Sequence, residues 1–167
     1  MEGIFGKSGI LIGVLLELAL IVLGILLIRK YNMNKEKASA CMGWPTVLGR
    51  VTGSEVVKSE STDEDGTSFS YTPRIEYAYH VLGQDYTSNK VAFGGFSGSS
   101  SPKSSHLVAN KYPLNDSVTV FYNPANPHES VLDQTVGSGA KGALIGGIIL
   151  IVVSLLMALP LLLGWLG

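Results

Sequence analysis

Residues 10–28 read ILIGVLLELALIVLGILLI, an apolar run in which Glu17 is the single formal charge. At about 1.5 Å of rise per residue, a helix of this length spans roughly 28 Å, which matches the hydrocarbon core of a bilayer. Arg29 and Lys30 end the run abruptly. The stretch therefore predicts a transmembrane helix.

Residues 142–166 read GALIGGIILIVVSLLMALPLLLGWL and predict a second transmembrane helix. This run is slightly longer than a bilayer requires, so we expect some tilt or a frayed end. Pro160 is expected to kink or loosen the helix in its last third. Trp165 suits the aromatic belt at a membrane interface.

A signal peptide is the alternative reading of the first run, because residues 38–41 read ASAC and resemble a cleavage site. Cleavage sites follow the apolar region closely. Here the polar run RKYNMNKEK separates the two. We therefore expect an uncleaved anchor.

Composition limits what the rest of the chain can be. Charged residues make up 15% of the 167 residues, against about 25% in soluble domains. A wholly soluble protein is thus excluded. The roughly 90 residues that remain for a water-soluble part of the chain are enough for one small domain. The net charge of −1 gives no support for a nucleic-acid partner.

The segment between the apolar runs carries a β pattern. Ile75, Tyr77, Tyr79 and Val81 alternate with polar residues, which is typical of a half-buried strand. Asp65-Gly66 and Gly83-Gln84 predict tight turns. The five predicted strands begin at Thr46, Phe69, Asp85, Ser117 and Glu129, and Gly49 and Gly53 suggest bulges or bends in the first. The tyrosines among them, Tyr71, Tyr77, Tyr79, Tyr86 and Tyr122, favour a packed sheet face over a ligand platform.

Two further segments interrupt these strands. Residues 94–105 are rich in Gly and Ser and predict a mobile loop. Ser105 is a plausible N-cap for a short helix over residues 107–112, which Pro113 would stop.

The predicted fold class is membrane α+β, with two transmembrane helices flanking a small antiparallel β-sheet domain that has one short helix. The predicted segments are a tail (1–9), the first helix (10–28), a connector (29–45), the β domain (46–133), a Gly-rich linker (134–141) and the second helix (142–166).

Orientation follows from basic residues near the membrane. Arg29, Lys30, Lys35, Lys37 and Lys141 flank the middle segment, whereas Lys7 is the one basic side chain on the outer flanks. We therefore expect the protein to be integral to the cell membrane, or the inner membrane in a bacterium, with the β domain in the cytoplasm.

Few residues suggest chemistry. His80, His106 and His128 lack metal-ligand spacing, and Cys41 is the single cysteine. Cys41 beside the membrane is conceivable as a palmitoylation site, although a small apolar residue is the simpler reading. The acidic run at residues 63–65 lacks the frame of a calcium loop. We expect no enzyme activity, no metal and no cofactor.

Glu17 is the most informative single residue, because an ionised carboxylate in mid-membrane costs about 2.5 kcal/mol or more. It is expected to be protonated or paired. Ser154 offers a hydroxyl at similar depth on the second helix, and another subunit is the alternative partner. Small residues at Gly142, Gly146 and Gly147, with Ala143, predict close helix packing.

Several blocks together resemble the DUF3592 family, a domain of unknown function found in small membrane proteins, commonly between two spans. They cover residues 41–133: Cys41-x-x-Trp44-Pro45-Thr46, Gly49-Arg50-Val51, the run from Pro73 to Tyr86, Lys111-Tyr112-Pro113, Val118-x-Val120-x-Tyr122-Asn123-Pro124-x-x-Pro127 and Ser130-Val131-Leu132. The family's usual glycine after the Lys-Tyr-Pro step is replaced by Leu114-Asn115-Asp116. The resemblance implies a tethered β-rich module and supplies no catalytic residue.

Two functions fit these features. The first is a non-enzymatic accessory or scaffold subunit of a membrane complex, with the lipid bilayer and a membrane protein or a second copy as partners. The second is a sensor whose sheet edge or 94–105 loop binds a peptide or small ligand.

Overall fold

The computed structural model describes the backbone of residues 2–165 and the side chains of residues 11–159. Pro160 and Trp165, for which a kink and an interfacial position are predicted, lie outside the described side chains. The chain forms two compact units, Met1–Asn32 with Lys141–Gly167 and Met33–Ala140.

The elements in chain order are α1 (Glu2–Ala40), a 3-10 turn (Cys41–Gly43), β1 (Thr46–Asp63), β2 (Gly66–Val81), β3 (Gln84–Ser88), α2 (Pro102–Lys111), β4 (Ser117–Asn123), β5 (Asn126–Val131) and α3 (Ser138–Trp165). Two long apolar helices therefore flank a five-stranded antiparallel sheet and one short helix, which confirms the predicted fold class. By length and composition, both long helices could cross a membrane.

The segment predicted as a connector is largely helical. α1 continues through residues 29–40 without a break, because Lys, Glu, Met and Ala are good helix formers and no Gly or Pro interrupts them. α3 likewise begins at Ser138, inside the predicted Gly-rich linker. The residues that join sheet and helices are therefore few.

The sheet has the order β3-β2-β1-β4-β5, and every pairing is antiparallel. β2 buries Ile75, Tyr77, Tyr79 and Val81 on one face, as the alternation predicts. A register shift between Val51 and Gly53 confirms a bulge in β1. Gly49 is no bulge: a Cβ there would lie 2.8 Å from the Ala78 carbonyl oxygen, so the glycine allows close strand approach.

Both tight turns lie one residue earlier than predicted. Asp63 pairs with Gly66, so Glu64 and Asp65 form the first loop. Val81 pairs with Gln84, so Leu82 and Gly83 form the second. Leu82 has a φ of 53° and Gly83 a φ of 80°, and two positive φ values in a two-residue loop are typical of a type I′ turn.

Strand lengths also differ from the predictions. β1 and β2 continue through polar residues as far as the turn, giving a hairpin with strands of 18 and 16 residues, and β2 begins at Gly66 rather than at Phe69. β3 ends at Ser88 and β5 already begins at Asn126.

The Gly- and Ser-rich segment, residues 94–105, is hydrogen-bonded to the sheet domain. Ser99 exchanges two backbone hydrogen bonds with Tyr71, at 2.8 and 3.0 Å. α2 begins at Pro102 with Ser101 as N-cap, so Ser105 is inside the helix. The buried Ser105 hydroxyl donates to the Tyr71 carbonyl oxygen at 2.7 Å.

Two apolar clusters hold the sheet domain together. The larger lies under α2 and contains the buried residues of β2 with others from β1, β3 and β4. The smaller joins the end of α1 to the β4–β5 pair; its buried members are Ala38, Cys41, Phe93 and Val131. The second cluster explains why the compact unit begins before β1.

Candidate functional site

The two long helices come into backbone contact at Gly24 on α1 and Gly147 on α3. A Cβ added to Gly24 would lie 2.8 Å from the Gly147 carbonyl oxygen, and one added to Gly147 would lie 2.8 Å from the Gly24 carbonyl oxygen. Gly24 also meets Ile151, and Gly147 meets Ile28, so the helices run antiparallel. Backbone contact of this kind requires glycine, as in small-residue helix packing in membranes.

The predicted glycines of α3 therefore divide into two groups. Gly147 is at the contact, whereas a Cβ added to Gly146 would meet nothing within 4 Å, and Gly142 is exposed. In the described part of the chain, the face of Gly146 that a Cβ would occupy thus makes no contact with α1.

Glu17 and Ser154 lie on the contact faces of α1 and α3 at similar depth, because each is about two helical turns beyond its contact glycine. Ser154 is fully buried, yet its Oγ has no hydrogen-bond partner among the described residues. Glu17 is half-buried. The helices bring the two residues to one level, but the expected hydrogen bond between them is not formed.

The tyrosines of the sheet use their hydroxyls internally. Tyr77 Oη donates to the Lys90 carbonyl oxygen at 2.9 Å and lies 3.0 Å from Ser130 Oγ. Tyr79 Oη donates to the Pro127 carbonyl oxygen, and the Tyr79 and Tyr86 rings stack at 5.5 Å. Burial raises the pKa of Tyr77 and Tyr79 above the ordinary value of 10.0. These rings tie β2 to β5 and form packed core.

The sequence motif Asn-Pro-x-x-Pro has a structural part in the same contact. Asn123 Oδ1 accepts a hydrogen bond from the Ala125 backbone N–H at 3.0 Å, which fixes the β4–β5 turn. The Asn123 side chain also donates to Glu129 at 3.2 Å. This turn positions the Pro127 carbonyl oxygen to accept the hydrogen bond from the Tyr79 hydroxyl.

The remaining candidate residues have structural surroundings. His80 pairs with Asp85 across exposed strands at 2.7 Å, and the His128 ring meets Tyr86 edge-on at 4.9 Å. His106 lies on α2. No group of three His, Cys, Asp or Glu residues within the described ranges could hold a metal.

Cys41 is fully buried, and its burial raises the pKa of the thiol above 9.0. A buried thiol with a raised pKa is a weak nucleophile. Its Sγ lies 3.2 Å from the Ala38 carbonyl oxygen, to which it donates. This environment matches a small apolar residue and leaves no access for a lipid chain.

One cleft has six serines among its lining residues, together with the apolar side chains of Pro73, Phe96 and Val108. It has a volume of about 570 Å³ and lies between Pro73, the 96–100 segment and α2. Its hydroxyls come from Ser97, Ser99, Ser100, Ser104, Ser105 and Ser138. Most are hydrogen-bonded within the chain, as in the Ser104–Ser99 contact at 2.9 Å.

Two structurally important residues escaped sequence reasoning. Gly24 has Leu20 and Ile28 four residues to either side, so it carries no paired small-residue signal. Asn115 has a φ of 69°, and asparagine tolerates this left-handed conformation better than most residues. It thereby supplies the geometry of the glycine expected after Lys111-Tyr112-Pro113, and its N–H donates to the Val51 carbonyl at 2.9 Å.

Comparison with known proteins gives one family. The model for the domain of unknown function DUF3592 matches residues 47–137, more than half of the chain. Neither a curated protein nor a solved structure matches. The match covers the sheet and α2, including the bulge, the left-handed Asn115 turn and the β4–β5 turn. The chain therefore belongs to the DUF3592 family.

Proposed function

We propose that this protein is a non-enzymatic accessory or scaffold subunit of a membrane complex. α1 and α3 insert in the bilayer, and Glu17 contacts a helix of a second membrane protein. The sheet domain makes contacts on the water side. We expect that side to be the cytoplasm, because basic residues flank the domain.

The observation that carries this proposal is the state of Glu17. The helix pair half-buries it, and no hydrogen bond or ion pair of its carboxyl occurs among the described residues. A carboxyl group in hydrocarbon is stable only with a partner. Ser154, the internal candidate that the sequence suggests, does not bond to it, so a helix from another protein is the better partner.

Co-purification in a mild detergent tests the proposal. We expect a stoichiometric membrane partner whose recovery falls with Glu17→Leu, because an intramembrane hydrogen bond of about 0.6–2 kcal/mol is lost. Glu17→Gln should retain most of the partner, since an amide still donates and accepts. Leu18→Ala is the matched control, because Leu18 is 53% exposed on the same helix.

Equal recovery of the partner with wild type, Glu17→Leu and Glu17→Gln would show that Glu17 makes no assembly contact. Absence of any stoichiometric partner would overturn the subunit assignment itself.

The cleft that contains the six serines favours a second candidate function, a regulatory module that binds a small polar ligand. α2 and the 96–100 segment form its walls, so a ligand there should alter hydrogen exchange at Ser99 and Ser104. Unchanged exchange across a panel of polyols and small peptides would argue against this role.

A further inference from the structure

The β1–β2 hairpin extends beyond the rest of the sheet as a two-stranded arm, residues 56–73. β4 pairs with β1 over residues 46–50. Among the described residues, β2 is the one strand that pairs with the outer part of β1. Every residue from 58 to 69 is exposed. Over residues 58–69 the two-stranded ribbon has no buried face and little stability of its own, which makes this arm a candidate for pairing.

The two edges of the arm differ. On β2, the backbone of Tyr71 is already bonded to Ser99, and Pro73 has no N–H to offer. On β1, residues 56–62 form no backbone hydrogen bond other than those to β2 among the described residues. The unpaired edge is therefore that of β1.

The pairing pattern shows which groups of β1 face outward. Tyr71 directs its N–H and C=O away from β1, because both are bonded to Ser99. Lys58 is the direct partner of Tyr71, so its own N–H and C=O also point outward in an antiparallel pair. By the two-residue period, Glu60 and Thr62 do the same.

We propose that this edge pairs antiparallel with the same edge of a second copy of the chain, with Lys58 of one copy opposite Glu60 of the other. A two-fold axis then passes beside Ser59, and residues 56–62 of the two copies exchange about eight backbone hydrogen bonds. The contact is independent of the Glu17 helix contact proposed above.

Charge selects this occupant and this register. The proposed pairing places two Lys–Glu pairs across the interface, whereas a shift by two residues in either direction places Lys58 against Lys58 or Glu60 against Glu60. Opposite charges facing each other across strands stabilise a pair, and like charges destabilise it. The acidic tips at residues 63–65 lie at opposite ends of the interface.

Two symmetry-related like-charge contacts occur just outside the paired stretch, one at each end, where Asp63 of either copy approaches Glu55 of the other. Arg74 NH1 lies 3.6 Å from the Glu55 carboxylate and offsets this repulsion. The edge of β1 is therefore complementary in charge to a second copy of itself, as a two-fold symmetric contact requires.

Disulfide cross-linking of the full chain tests the register. Ser59 would face Ser59 in a non-hydrogen-bonded pair, where Cα atoms are about 4.5 Å apart and a disulfide fits. Ser59→Cys should therefore give a dimer under mild oxidation in detergent and in membranes. Ser61→Cys is the control, because its two copies would lie about 13 Å apart or more, and wild type controls for the buried Cys41.

Charge reversal in the Ser59→Cys background supplies the second arm of the test. Glu60→Lys should slow cross-linking about tenfold, because both interfacial pairs become like-charged. The double change Lys58→Glu with Glu60→Lys should restore the original rate.

Failure of Ser59→Cys to form a dimer, or equal cross-linking at Ser61, would overturn the proposal, as would a cross-link to a different protein. Loss of cross-linking with an intact membrane partner would refute this contact and leave the subunit role standing.

Discussion

Gly24 and Gly147 lie backbone to backbone, and each glycine leaves room for the carbonyl oxygen of the other. The contact sets the depth of every other residue on the two helix faces, including Glu17 and Ser154. An antiparallel pair fixed at one close contact presents the remaining apolar side chains outward, where Leu11, Leu15, Ile145 and Leu156 are well exposed. These side chains suit lipid or a further helix.

Gly147→Leu should weaken the helix pair, because the new side chain would meet the Gly24 carbonyl oxygen and Leu27 at about 3 Å. Overpacking of this kind costs about 1–3 kcal/mol. The matched control is Gly146→Leu, one residue away, where a Cβ meets nothing within 4 Å. Thermal stability of the detergent-solubilised chain should fall for Gly147→Leu only, and equal losses would contradict the assigned contact.

How far the sequence predicts this arrangement depends on the range of each interaction. The apolar runs and the alternation around Tyr77 are local patterns, and both gave the correct element type. Gly24 was missed because its role is defined by a residue more than a hundred positions away. Gly146 and Gly147 share one motif, and helix rotation alone decides which of them faces α1.

Turn positions show the same limit. Leu82 takes a positive φ that its type disfavours, so local propensity pointed to Gly83-Gln84 instead. Strand pairing fixed the turn through the Val81–Gln84 register. The anchoring of Ser99 to Tyr71 is likewise tertiary, and Gly–Ser composition alone predicts a mobile loop. The edge of β1 that the proposed pairing uses is likewise defined by its register with β2, not by its local sequence.

Alkaline pH should destabilise the sheet domain through its buried tyrosines. Burial raises the pKa of Tyr77 above 10.0 in the folded chain, so its stabilising effect is complete below about pH 10 and is lost as pH rises through the folded pKa. Tyr77→Phe removes this titration and two hydrogen bonds, which are together worth about 1–3 kcal/mol. The melting temperature of the variant should be lower at pH 8, with the difference narrowing above pH 10.

Tyr71→Phe is the control for this experiment, since the Tyr71 hydroxyl makes no hydrogen bond among the described residues. A constant difference between wild type and Tyr77→Phe from pH 8 to pH 11 would contradict the role assigned to burial.

The sheet domain should fold alone when its second apolar cluster is included. A fragment of residues 33–140 retains Ala38, Cys41 and Val136 of that cluster, whereas a fragment of residues 46–133 lacks all three. We expect both to give β-dominated circular dichroism spectra. The shorter fragment should be less stable by about 2–5 kcal/mol, the range for loss of one large core side chain. Equal denaturant midpoints would show that the second cluster contributes little.

The proposed cytoplasmic side of the sheet domain is tested at the tip of the β1–β2 hairpin. Glu64 lies in the exposed two-residue loop, and the native Cys41 is buried, so Glu64→Cys provides one accessible thiol. In intact cells this thiol should be protected from a membrane-impermeant maleimide, because the basic residues that flank the domain favour the cytoplasmic side. It should react fully after permeabilisation, which controls for reactivity. Ready labelling of intact cells would place the domain outside and reverse the orientation.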